Sequence, residues 1–278
     1  KSVARTLLAK IYAEKPLRDY TKVIQYCDEV KADGFDLVDD FSDLFGMNAA
    51  GTDAKMRNTK ESILEAQFTS GAGNWCTWMF GRDLVNWNNN FTWAKWVTPS
   101  RDLISAFKQE GDEVRFKESI VYYDCNWSNY YPSDNYPFMY KCRSANSSII
   151  KYRYADVLLL KAEALIMQDT PDLEGAADII DEVRDRAKLG ALPTSVRSNK
   201  NVLLNALLKE RRLELAFEGQ RWFDLVRLDK VEEVMNAVYS KDSGRKAQIY
   251  TFDKNSYRLP IPQSVIDAND KIHQNPGY

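Results

Sequence analysis

The 278-residue sequence has one histidine, His273, and four cysteines, Cys27, Cys76, Cys125 and Cys142, none of them in a CxxC pair. That poverty counts against a zinc site, which draws on clustered Cys and His ligands. No GxSxG, P-loop or GxGxxG motif occurs, so the common nucleophile and nucleotide signatures are missing and no cofactor is expected. No apolar run approaches about 18 residues, the length a helix needs to cross a bilayer. The formal net charge is only −2, which gives no reason to expect nucleic acid or an anionic membrane as partner. No initiator Met opens the chain, and helical pattern begins at Val3. That reads as a processed or shortened chain, with any targeting signal upstream. Cys125 and Cys142 flank an aromatic loop where an oxidising compartment would allow a disulfide; half-buried thiols are the expected state.

What is present is mostly helical pattern. Apolar positions run on a helical stripe from Val3 to Glu14 and again from Arg18 to Ala32, with Pro16 between them and Gly34 after. This predicts a helical hairpin of tetratricopeptide size, which must stack on further helices to bury its face. A second pair runs from Tyr152 to Gln168 and from a start signal at Thr170, Pro171 and Asp172 to about Lys188. An isolated helix is predicted over Arg101–Phe107, capped by Ser100, and a short helix or strand over Glu61–Phe68. The stretch from Asn201 to Leu228 keeps a 3.6-residue period and predicts one long amphipathic helix. Its acids and bases fall three or four residues apart, where helical side chains meet. Their expected role is to tie neighbouring segments together, with Glu214 and Arg221 in a partly buried ion network. Gly219 there suggests a close packing contact. At the end, Pro260 and Pro262 favour extended chain lying against the body.

Six of the seven tryptophans fall between Asn74 and Tyr140, among many asparagines and without sustained periodicity. A pyranose has an apolar C–H face that can lie on an indole, and hydroxyls that an Asn amide can both donate to and accept from. Trp75, Trp78, Trp87, Trp93 and Trp96 are therefore the candidate ligand platforms; the alternative is that such residues pin a long loop onto the helices. Trp127 fits either role, and Trp222, on the long helix, reads as core. No catalytic constellation stands out. A glycoside hydrolase would have to use Asp83, Asp102 or Asp124. Asp36, Asp39, Asp40 and Asp43 lack the spacing of an EF-hand and read as a solvated turn.

Four motifs add a family resemblance. KERRLELAFEGQRWFDLVR resembles the signature helix of the SusD/RagB family, and RYADVLLLKAEA with VRDRAKLG resembles that family's second hairpin. Lys188 stands where the family usually has Gly. The segment from Val3 through GFDLVDDFSDLF resembles its tetratricopeptide-like hairpin, and LPIP…QNPGY its terminal signature. The resemblance implies a mostly α fold of tetratricopeptide-like hairpins around a long irregular aromatic insertion. The expected parts are a helical segment over 1–70, the insertion over 71–150, and a helical segment with a terminal tail over 151–278. It further implies a non-catalytic Bacteroidetes surface lipoprotein of the outer membrane. Such a protein hands oligosaccharide or polysaccharide, in some members peptide, to a SusC-like TonB-dependent transporter. The lipidated cysteine is expected upstream of this sequence. A protein-binding helical scaffold is the remaining alternative.

Overall fold

The computed structural model describes residues 1–69, 72–76, 98–125, 130–241 and 251–278. In chain order the first elements are α1 (Ser2–Ala13), α2 (Tyr20–Ala32), α3 (Ser42–Phe45) and β1 (Ser62–Ala66). Next come α4 (Arg101–Glu110), α5 (Glu113–Ser119), β2 (Ile120–Tyr123), β3 (Tyr136–Met139) and β4 (Ile149–Arg153). Then follow α6 (Tyr154–Met167), α7 (Leu173–Arg186), α8 (Thr194–Arg197) and α9 (Lys200–Glu214). The last are α10 (Arg221–Arg227), α11 (Val231–Lys241) and α12 (Gln263–Asp267). The expectation of a mostly α fold holds. Among the described residues there are two two-stranded antiparallel ribbons, β1–β4 and β2–β3. The chain divides into two compact units, Lys1–Arg221 and Trp222–Tyr278.

In the first unit both hairpins form where their stripes predict. Arg5 near the start of α1 pairs with Asp33 just past α2 at 2.6 Å, so these helices run antiparallel. α2 packs on α6, and α9 packs on α6 and α7. Ala9, Ala13, Ala155, Ala162 and Ala164 are fully buried, and such small side chains let helix axes approach. Leu159, Ile166, Ile180 and Leu203 fill the space between, each contributing about 1.5–3 kcal/mol of apolar burial. The cap of α7 is Asp172, which accepts from the Gly175 amide at 2.9 Å.

α7 ends in a left-handed residue, and that residue is Lys188, at φ 60°. The Leu189 amide bonds back to the Arg184 carbonyl at 2.9 Å, a closure that glycine usually makes without steric cost. Lys188→Gly should therefore raise stability, by about 1 kcal/mol. Urea unfolding of the two proteins side by side checks this; an equal or lower midpoint would refute it.

The predicted long helix over Asn201–Leu228 is two helices. α9 stops at Glu214, and the chain turns through Phe217 (φ 65°) and Gly219 (φ 77°) before α10 begins. A Cβ on Gly219 would meet nothing within 4 Å. The glycine thus serves the left-handed backbone and not a tight contact.

The break exists around a buried ion network. Glu214 is fully buried, with its carboxylate shared among Arg115 (3.0 Å), Arg153 (2.5 Å) and Arg186. Arg153 also reaches Glu61 and Glu218, each at 2.7 Å. Its second amino group and the Lys141 ammonium donate to the Glu214 carbonyl at 2.7 and 2.8 Å. Two buried cations thereby close the negative end of α9. Arg221, expected in such a network, donates to the Leu208 carbonyl at 2.9 Å. Turning the chain after Glu214 is what lets Glu218 meet Arg153 and Lys141 (2.6 Å). Continuing the helix would carry it one turn further along the axis. Asp156 forms a second buried knot with Arg211 (2.8 Å) and Lys10 (2.6 Å). The acidic turn after α2 is paired at the surface, Asp36 and Asp39 with Lys60, Asp40 and Asp43 with Lys55.

In the second unit, Trp222 is half-buried and packs on Phe252 with ring centroids 6.4 Å apart. The Asn236 amide bonds both backbone groups of Phe252 at 2.9 Å. The terminal segment is closed on itself. Gln274 bonds the amide (2.8 Å) and carbonyl (2.9 Å) of Ile261, and Asn275 reaches the Leu259 carbonyl at 2.7 Å. The two prolines leave those groups without helix partners, and the QNPGY segment supplies them. A short helix, α12, interrupts what the prolines predicted as extended chain.

Candidate functional site

α4 carries the wall of an open cleft. Its start is fixed by Ser100, whose hydroxyl accepts from the Leu103 amide at 3.1 Å, as the sequence predicts. Its apolar face, Leu103, Ile104 and Phe107, packs with Ile120, Leu213 and Ala216. Ion pairs from α4 seat it further: Asp102 to Arg212 at 2.6 Å, Glu110 to Arg184 at 2.9 Å and to Lys209. The remaining face presents Arg101, Ser105, Lys108 and Gln109 to the cleft, at the i, i+4, i+7 and i+8 positions that share one side of a helix.

The opposite wall comes from the β2–β3 ribbon and the turn between its strands. Tyr122 lies opposite Pro137 in the ribbon. Its ring stands 6.4 Å from Phe116, which itself packs on Phe107 at 5.7 Å. Burial raises the Tyr122 hydroxyl above its ordinary pKa, so it stays a neutral donor and acceptor. Tyr131 is held on several sides. Its hydroxyl donates to the Pro99 carbonyl at 2.7 Å, and its ring meets Tyr130 and Tyr136 edge-on at 4.9 and 5.5 Å. The Arg101 guanidinium lies over both Tyr130 (4.2 Å) and Tyr131 (4.4 Å) and donates to the Tyr130 carbonyl. Pro132 and Asn135 complete the rim of a space of about 450 Å³. A ring-shaped polar ligand fits such a site: fixed aromatic edges below, with hydroxyl and amide groups from Ser105, Gln109 and Asn135 around it.

Of the five tryptophans predicted as platforms, Trp75 is described and is 72% exposed. Trp78, Trp87, Trp93 and Trp96 lie outside the described residues, as does Trp127. Trp75 follows a rigid anchor. The buried Asn74 amide donates to the carbonyls of Ser144 (3.2 Å), Ala145 (3.0 Å) and Ser147 (2.7 Å). Its oxygen accepts from the Cys76 amide at 3.0 Å and lies 3.5 Å from the Cys142 sulfur. Cys125 and Cys142 are both buried, and no disulfide joins them. Among the carboxylates considered for hydrolysis, Asp102 is committed to Arg212 and Asp124 is exposed; Asp83 lies outside the described residues. The residues missed from sequence are Arg101, Tyr122 and Tyr131. The signal was available in part, as the polar positions 101, 105 and 108 of α4 recur on one face.

Comparisons with known proteins agree with one another. The model of the SusD family matches residues 139–278. SusD-like protein P38 of Formosa agariphila is 43% identical over 99 residues, which are 34% of this chain and 19% of that protein. The fold superposes with a TM-score of 0.73 on a SusD-like protein from Bacteroides fragilis, at 22% identity, covering 100% of this chain and 65% of that one. It superposes at 0.69 on a laminarin-binding SusD-like protein, at 25% identity, covering 100% of this chain and 62% of that one. The chain thus spans just under two thirds of these solved relatives, and its matched stretch about a fifth of the curated one.

Proposed function

This chain belongs to the SusD family, and from that premise we propose that it captures glycan at the cell surface for a TonB-dependent outer-membrane transporter. On this reading it is part of a surface lipoprotein and binds its ligand without altering it. The observation that carries the proposal is the cleft between α4 and the β2–β3 turn. There, immobilised tyrosines are ringed by hydroxyl and amide side chains. The name of the laminarin-binding relative supports a saccharide as ligand class. Trp75, Trp78, Trp87, Trp93 and Trp96 are proposed, from their setting in the sequence, as stacking positions for the glycan.

The test is a screen of the protein against an oligosaccharide panel, with a peptide panel and a reducing-end assay alongside. Binding of one glycan class, with no new reducing ends, is the expected result. Peptide binding without glycan binding would assign the ligand to the other class. Release of reducing ends would make the protein a hydrolase.

A further inference from the structure

We propose that Cys76 and Cys142 form a disulfide, which ties the backbone beside Trp75 covalently to the body of the first unit. The pairing goes beyond glycan capture and does not depend on it.

A run of close contacts brings the two cysteines together. Gly73 approaches the 142–147 segment so closely that a Cβ added to it would stand 2.9 Å from the Ala145 Cβ. One residue on, the Asn74 backbone amide donates to the Ala145 carbonyl at 2.8 Å. The Asn74 side-chain oxygen then collects both cysteines. It accepts from the Cys76 amide at 3.0 Å and stands 3.5 Å from the Cys142 sulfur. The thiols complete the contact, since the Cys76 side chain hydrogen-bonds that of Cys142. The other two cysteines are packed elsewhere, Cys27 in the main apolar core and Cys125 among Tyr136 and Phe138.

The pair is also equipped for exchange. Cys76 is half-buried, so solvent reaches it. The hydrogen bond from Cys142 favours its thiolate, and Lys151 adds a smaller pull. Together they outweigh partial burial and bring its pKa down to about 7. A thiol that titrates near ambient pH is both ionised and nucleophilic. Burial instead pushes the Cys27 thiol far up, which leaves it unreactive.

The oxidant is a second disulfide, of the low-molecular-weight or the oxidoreductase class. The Cys76 thiolate attacks one of its sulfurs, that S–S bond breaks, and one oxidant thiolate leaves. Cys142 then gives up its proton and attacks the Cys76 sulfur of the mixed disulfide, releasing the second oxidant thiolate. Two protein thiols are oxidised, one oxidant disulfide is reduced, and the two protons end on its sulfurs. Cys142 need not be unpartnered for this; its sulfur has to lie within reach of Cys76, as it does. Closing residues 76–142 into a ring removes freedom from the unfolded chain. In the folded chain the bond fixes the backbone next to Trp75, with Trp78 two residues further on. A cell-surface protein meets the oxidising surroundings in which such a bond persists.

The test uses the full chain, first reduced and then exposed to oxidised glutathione at about pH 7.5. Remaining thiols are alkylated, the protein is digested without reductant, and linked peptides are mapped by mass spectrometry. Cys76 should be found joined to Cys142, with Cys27 and Cys125 alkylated once the chain is denatured. The oxidised chain should melt roughly 10 °C above the reduced one and lose that margin in dithiothreitol. A link between Cys125 and Cys142 would overturn the inference, and so would survival of all four thiols. A lasting glutathione adduct on Cys76 would overturn it too, because Cys142 would then be out of reach. None of these outcomes touches glycan capture, which the oligosaccharide panel decides separately.

Discussion

Replacing Arg153 by Ala is expected to cost about 3–5 kcal/mol of stability and to lower the melting temperature by roughly 10 °C. The residue is 1% exposed and holds Glu61, Glu214 and Glu218 together, so its loss strands three carboxylates away from water. Thermal and urea unfolding measure the effect; a variant that melts with the parent would mean the network carries no net stability. Acid supplies a second readout. Burial pushes the Glu214 and Glu218 carboxyls up, but the cations around them, Arg153 among these, hold both below their ordinary 4.5. Stability from a depressed carboxylate is fully present above the unfolded pKa and is lost as pH falls through the folded one. Parent stability should therefore decline below about pH 4.5. The deficit of the variant should narrow in the same range, because a protonated glutamate no longer needs the missing cation.

Trp75→Ala is expected to weaken oligosaccharide binding by about 1–3 kcal/mol, the scale of removing a stacking platform, while leaving the melting curve unchanged. Its side chain is 72% exposed, and the adjoining Asn74 holds the backbone without it. The same substitution at Trp78, Trp87, Trp93 and Trp96 separates two kinds of residue. A stacking tryptophan loses affinity alone, whereas one that pins the loop lowers the melting temperature. Affinity in the parent should also rise with oligosaccharide length, because several weak platforms act together once the chain spans them. If every variant that melts normally also binds normally, these tryptophans are not the site.

The hairpins α1–α2 and α6–α7 were legible because a long amphipathic stripe with caps states its own period. So was the short helix behind Ser100, whose cap is local chemistry. The break between α9 and α10 was not. Apolar and charged residues keep helical spacing straight through Leu215, Phe217 and Gly219, so periodicity alone cannot see the turn. What decides it is the demand of Arg153 and Lys141 for Glu218, a contact made across 65 and 77 residues. The four-residue strands β2 and β3 are too short to display an alternation. The cleft is legible only in halves, since α4 and the Tyr130–Asn135 segment each read as unremarkable until the fold sets them face to face.

The ion network also bears on modularity. Most of the recognisable motifs lie from β4 onward, and that half looks like a unit when read as a string. Cut out alone, it would keep Arg153, Arg186 and Glu214 but lose Arg115 and Glu61. Glu61 reaches Arg153 across 92 residues and Arg186 across 125. Two guanidinium groups built for burial would then lack one of the carboxylates that neutralise them, and Glu214 would lack one of its three cations. The carboxyl-terminal half is thus one side of a joint, and autonomy would require it to leave buried charge unbalanced.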